Sequence, residues 1–136
     1  MKDWLSVVAR FRSQTLPKSE WTHEAHLVVA LWHLLEYGDV HSALCQLRAG
    51  IILHNRSVGT KNTESSGYHE TITVFWMKQI GEFIEQQDSR EFDLLVERLL
   101  RETPFTRKDY ILQFYSKDTL KSSKARSLYT APEAVR

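Results

Sequence analysis

Imidazoles and a carboxylate recur in two short blocks, Trp21-Thr22-His23-Glu24-Ala25-His26 and Gly67-Tyr68-His69-Glu70-Thr71. Histidine is a metal ligand, a proton carrier and a charge switch near neutral pH. Two such blocks in 136 residues point to a site. Three imidazoles with a carboxylate match a divalent metal, and Zn, Ni, Fe or Mn all suit that donor set. An open position on such an ion would activate water on a small molecule. In this reading His23, His26, His54 and His69 are the metal ligands. His69 and Glu70 are the catalytic pair, and Tyr68, Thr71, Thr73 and Arg56 orient a small-molecule ligand. His23-Glu24-Ala25-His26 is one residue shorter than the H-E-x-x-H of a zinc protease. The chain also lacks the His-Asp dipeptide of helical metal phosphohydrolases.

Other readings use the same residues. Two helix N-termini at one place attract an anion without any metal, and Arg56 and Lys61 could close over its carboxylate or phosphate. A protein-interaction module would use the basic C-terminal segment and the aromatics Tyr110, Phe114 and Tyr115, although aromatics at helical spacing are more often core. A purely structural account also exists. His26 and His69 would be core histidines bonded to neighbours such as Thr22, Thr73 or Tyr68, because buried polar groups must be paired. Glu70 would only satisfy first-turn amides, and His54 would gain from a helix C-terminus.

Positioning these groups requires helices. Trp4, Leu5, Val8 and Phe11 fall at helical spacing within residues 2–14. Thr22 (or Ser19) caps a second helix through Tyr37, Gly38 stops it, and Asp39 caps a third over 40–55. Residues 56–66 are polar and aperiodic, hence a loop. A fourth helix spans 67–87, Ser89 caps a fifth to Arg101, and Thr103-Pro104 breaks the chain. A short sixth helix covers 108–115. The remainder, 116–136, is an extended tail packing on the bundle, with one turn around 123–128. The fold class is all-α, a compact single-domain bundle of five or six helices.

At about 100° per residue, His23, His26, Ala30, His33 and Leu34 share one face of the second helix. That helix is apolar all round and therefore central. His69 shares the inward face of the fourth helix with Ile72, Thr73, Trp76, Ile80 and Phe83. His54 aligns with Ala43, Leu47, Gly50 and Ile51 on the third. A two-residue turn makes helices two and three antiparallel, and a returning fourth helix runs parallel to two. His23, His26, His54, His69 and Glu70 then converge at one end of the bundle. His33 lies two turns deeper and His41 at the opposite end.

Composition agrees with a helical core. The chain is 42% hydrophobic, and low Gly (5) and Pro (3) disfavour a turn-rich β fold. A formal charge of +1 gives no global field for nucleic acid. The basic excess of 106–136 reads as a solvated tail. The single cysteine, Cys45, excludes a disulfide framework and fits a reducing compartment. It has no histidine partner for nucleophilic catalysis. Ser65 and Ser66 lack a G-x-S-x-G elbow. There is no Walker loop, dinucleotide fingerprint or EF-hand. Without a signal peptide or an apolar run of membrane length, the expectation is a soluble cytoplasmic protein with no membrane partner and an open oligomeric state.

Three patterns together resemble a widespread uncharacterised family of small bacterial helical proteins. They are aromatic-Thr-His-x-x-His-Leu (Trp21 to Leu27), Tyr-His-Glu-Thr-x-Thr (Tyr68 to Thr73) and Tyr-Ser-x-x-x-Leu-x-Ser-x-x-Ala-Arg (Tyr115 to Arg126), with Pro132 following. The resemblance implies Thr22, His23, His26, Tyr68, His69, Glu70, Thr71 and Thr73 as motif positions. It does not extend to His33 or His54 and implies no reaction. It also suggests a C-terminal block lying back over the bundle, with Arg126 pairing a carboxylate.

Overall fold

Side chains close the first turns of four long helices. Asp3 Oδ1 accepts from the Ser6 N–H ahead of α1 (Trp4–Arg12). Thr22 Oγ1 accepts from Ala25 N–H ahead of α2 (His23–Tyr37), and Asp39 Oδ1 from Ser42 N–H ahead of α3 (Val40–Ser57). His69 caps α4 (Glu70–Glu85) with its ring: Nδ1 accepts the Ile72 N–H at 3.1 Å. Such caps satisfy amides that have no partner inside the helix. α5 (Phe92–Glu102) follows Glu91 and has no side-chain cap. Ser89, expected as that cap, instead accepts from Glu91 N–H. The structure, a computed structural model, describes residues 2–133; Arg136 of the basic tail lies outside them.

α2 is the central helix. It is buried nearly all round and packs against α1, α3, α4 and α5. Each fully buried leucine on it, such as Leu27 and Leu31, contributes about 2 kcal/mol of apolar burial. Gly38 ends α2 in the positive-φ region (φ 83°), donating to Leu34 O, and Asp39 starts α3 at once. The chain therefore doubles back. The end of α3 returns to the start of α2, with the His54 and Trp21 ring centroids 5.2 Å apart. The inward stripe of α3 is as expected: Ala43, Leu47, Ile51 and His54 are buried. Gly50 backs onto Phe11, whose Cε2 would lie 2.8 Å from an added Cβ.

Residues 58–69 link α3 to α4. Asn62 organises this loop: its Oδ1 accepts from Asn55 Nδ2 and Tyr68 N–H, and its Nδ2 donates to Ile52 O. Gly67 turns the chain at φ 78°, so helix four begins at Glu70 rather than at residue 67.

The C-terminal region departs most from expectation. Residues 108–115 form only a 3₁₀ turn, Tyr110–Gln113, after a similar turn at Pro104–Thr106. The tail is not extended throughout. It contains two one-turn helices, α6 (Lys117–Lys121) and α7 (Ser123–Ser127), capped by Ser116 and Ser122. It does pack on the bundle, with α7 against α4. Consequently α4 is buried on a second side: Thr71 and Phe75 lie inside, Phe75 against Phe114 and Tyr115. Among the described residues no helix is long and apolar enough to cross a membrane.

Candidate functional site

The start of α2, the end of α3 and the start of α4 do meet, around a cavity of ≈ 460 Å³. His26 and Trp21 line it from one side, Asn55 and Val58 from α3 and its end, and His69 and Ile72 from α4. His26 and His69, 43 positions apart in sequence, thus line one space. Lys18 also lines the cavity and supplies its cation.

The two imidazoles are wired differently. His26 gives its Nδ1–H to its own turn, the Thr22 carbonyl at 2.6 Å, and stacks on Trp21 with centroids 3.7 Å apart. Trp21 in turn stacks on Phe11. The His26 Nε2 has no hydrogen-bond partner among the described residues and is left as an acceptor. Protein atoms crowd this ring, yet more than a third of the residue's surface is accessible. A concave wall produces both conditions. Desolvation, reinforced by the nearby His23 and His54, lowers its pKa to about 4 against the Thr22 carbonyl bond. His26 is therefore neutral at neutral pH.

His69 has no such vacancy. Its Nδ1 accepts from Ile72 N–H, which fixes the proton on Nε2, and Nε2 donates to Leu120 O at 2.7 Å. Burial, with Arg126 nearby, holds its pKa below the usual imidazole value. Both ring nitrogens are engaged, so a metal could take His69 only after the cap or the tail bond broke.

The other expected ligands turn elsewhere. His23, beside His26 in sequence, donates from Nε2 to Phe105 O at 2.7 Å and packs edge-on to Trp76. It does not line the cavity. His54 is fully buried and donates to Leu16 O at 2.9 Å, leaving Nδ1 without a partner. His33 donates to Val29 O inside α2. Among the described residues no group of three or more His, Cys, Asp or Glu side chains is placed to hold a metal ion.

Glu70 faces a second cavity of ≈ 580 Å³. Its carboxylate accepts from Arg48 Nε and Nη2 at 3.0 and 2.7 Å and from the Tyr68 hydroxyl at 2.5 Å. Burial alone would raise its pKa, but the Arg48 and Tyr68 bonds outweigh that and hold it low. Burial and the Glu70 carboxylate push the Tyr68 phenol up. Tyr68 lines both cavities and stands between them. Nothing in the periodicity of the chain marks Arg48; only its position on α3 opposite the start of α4 brings it to Glu70.

Of the expected orienting residues, Thr73 lines the first cavity, although its hydroxyl donates to His69 O. Thr71 is fully buried away from both cavities. Its hydroxyl donates to Ala125 O at 2.6 Å and accepts from Thr130 N–H at 3.0 Å. Arg56 is exposed and lines neither cavity. Arg126 pairs with a main-chain carbonyl rather than the expected carboxylate, donating from Nη1 to Gly67 O. Two of the three sequence patterns therefore dock on each other: Gly67, His69 and Thr71 receive Arg126, Leu120 and the 125–130 backbone. Comparisons with family models, curated proteins and solved structures give no match.

Proposed function

We propose that this protein is a metal-free binding module for a small organic molecule, held in the cavity between the starts of α2 and α4 and the end of α3. One observation carries the reading: His26, whose neutral ring is fixed by Thr22 and Trp21 and keeps an uncommitted Nε2, lines a ≈ 460 Å³ cavity. That volume lies within the range of small-molecule sites, which combine apolar walls with a few placed polar groups. Ile51, Val58 and Ile72 give the apolar wall, and Asn55 and Lys18 the further polar contacts. The ligand carries a hydroxyl or N–H to donate to Nε2 and an anionic group for Lys18. Since Glu70 is committed to Arg48 and Tyr68, binding rather than water activation is the better supported role.

The test uses para-hydroxybenzoate as a probe with a donor and an anion, and benzoate as the probe without the donor. Para-hydroxybenzoate is expected to shift the Trp21 and His26 NMR signals saturably. It should bind more tightly than benzoate, and His26→Phe should remove the difference. No response at either residue would overturn the reading. Metal analysis on protein purified without a histidine tag tests the other part: stoichiometric Zn, Ni, Fe or Mn would replace the metal-free module by a metal site.

A further inference from the structure

The side-chain amide of Asn55, in the last turn of α3, is held in one orientation. Asn62 Oδ1 accepts the Tyr68 N–H at 3.0 Å, and Asn62 Nδ2 donates to Ile52 O at 3.1 Å. Those two bonds settle which end of the Asn62 amide is oxygen. The Asn55 atom that meets Asn62 Oδ1 at 2.9 Å must then be the donor, Nδ2. Asn55 Oδ1 is the remaining atom of that amide, an acceptor with no hydrogen-bond partner among the described residues.

Accessibility decides whether a ligand can use such an atom. Among the described residues two side-chain atoms are both unpartnered and sealed from the surface, His54 Nδ1 and Arg126 Nε. Asn55 Oδ1 is not one of them, although the residue is only 8% exposed. The small open part of Asn55 therefore includes Oδ1. Asn55 lines the His26 cavity and not the Arg48–Glu70 one, so the His26 cavity is where a ligand reaches it. His26 supplies a second acceptor, its uncommitted Nε2, from α2. No carboxylate lines this cavity, and Lys18 is its one charged residue. Lys18 opposes a cation, so the two acceptors call for neutral donors on an anionic molecule.

We propose that Asn55 is a specificity-determining residue of this cavity, and that its ligand is an organic carboxylate bearing two hydroxyl or N–H donors, one for His26 Nε2 and one for Asn55 Oδ1. The inference rests on the cavity being a small-molecule site. A ligand that fills the space displaces water from both acceptors. One with a single donor leaves an acceptor unpaired and binds roughly tenfold or more weakly. Discrimination of this kind, by a polar group left without its partner, exceeds what an apolar wall achieves against a missing hydroxyl.

The experiment titrates the full chain with two dihydroxybenzoates and their monohydroxy parents. Protocatechuate, with adjacent hydroxyls, is set against para-hydroxybenzoate. Alpha-resorcylate, with separated hydroxyls, is set against meta-hydroxybenzoate. In at least one pair the second hydroxyl is expected to tighten binding roughly tenfold or more. It should also move the Asn55 side-chain carbonyl ¹³C NMR signal together with that of His26 Nε2. Asn55→Ala should lose the gain. Asn62 retains its Tyr68 and Ile52 partners in that variant, and the Tyr68 N–H signal checks the loop. No gain in either pair, a gain that survives in Asn55→Ala, or an Asn55 carbonyl that stays still while His26 shifts would overturn the proposal and leave the cavity a binding site. No response of His26 to any of the four probes would overturn both.

Discussion

Five of the six histidines, His23, His26, His33, His54 and His69, donate a ring N–H to a main-chain carbonyl. Their identities and inward directions follow from helical spacing. The acceptors of His26 and His33, Thr22 and Val29, are the carbonyls four residues back and follow from it too; those of His54, His23 and His69, namely Leu16, Phe105 and Leu120, do not, because they lie in distant segments that no period fixes. His26 and His69 therefore look alike in sequence but behave oppositely: one keeps an open nitrogen and the other closes a helix and a tail. The lowered pKa of His26 makes a pH prediction. The unfolded chain takes up a proton near pH 6.5 and the folded one only near pH 4, so between those values the unfolded state binds more protons. Stability is then fully present above about pH 6.5 and falls as pH drops toward 4. His33 and His69, also lowered, act in the same direction. Thermal unfolding across that range should show a decreasing Tm, with a shallower slope in His26→Phe. A Tm independent of pH there would contradict the desolvated, neutral ring.

Among the elements, helix starts and stops were legible wherever a local device sets them: Thr22, Gly38 and Asp39 do what their types dictate. The start of α4 was displaced by three residues because the loop, not the periodicity, decides it. Gly67 sits at φ 78°, and a Cβ there would lie 2.5 Å from Lys61 O and 2.6 Å from Asn62 Oδ1. Gly59 has a similar φ of 81° but open space around it. Gly59→Ala should therefore cost about 1 kcal/mol from backbone strain alone. Gly67→Ala should cost about 2 kcal/mol more, because the loop must also move off the Asn62 contacts. Urea unfolding of the two variants measures the difference, and equal losses would show that the loop is not held as described.

For the whole molecule, the all-α bundle and the meeting of three helix ends could be argued from connectivity. That the tail packs on the bundle was expected, but its attachment points were not legible, because its fixation depends on single hydrogen bonds to groups far away in sequence. Thr71 is the pivot: one hydroxyl serves the Ala125 carbonyl and the Thr130 N–H. Thr71→Val keeps the shape and removes both bonds, leaving buried groups unsatisfied. A loss of about 1–3 kcal/mol is expected. Hydrogen exchange should accelerate across 117–130 well before it does in α2 or α3; uniform acceleration would mean that the tail is not a separate layer. Arg126 and the Leu120 carbonyl hang on the same attachment, so tail docking shapes the walls of both cavities.

The account rests on two histidines lining one cavity, with only one of their rings open. Long-range ¹H–¹⁵N NMR of the imidazole nitrogens at neutral pH reads this directly. The account predicts His26 neutral with its proton on Nδ1, His69 with its proton on Nε2, and a shift of the His26 Nε2 alone when para-hydroxybenzoate is added. A charged His26, its proton on Nε2, or equal shifts at both rings would contradict it.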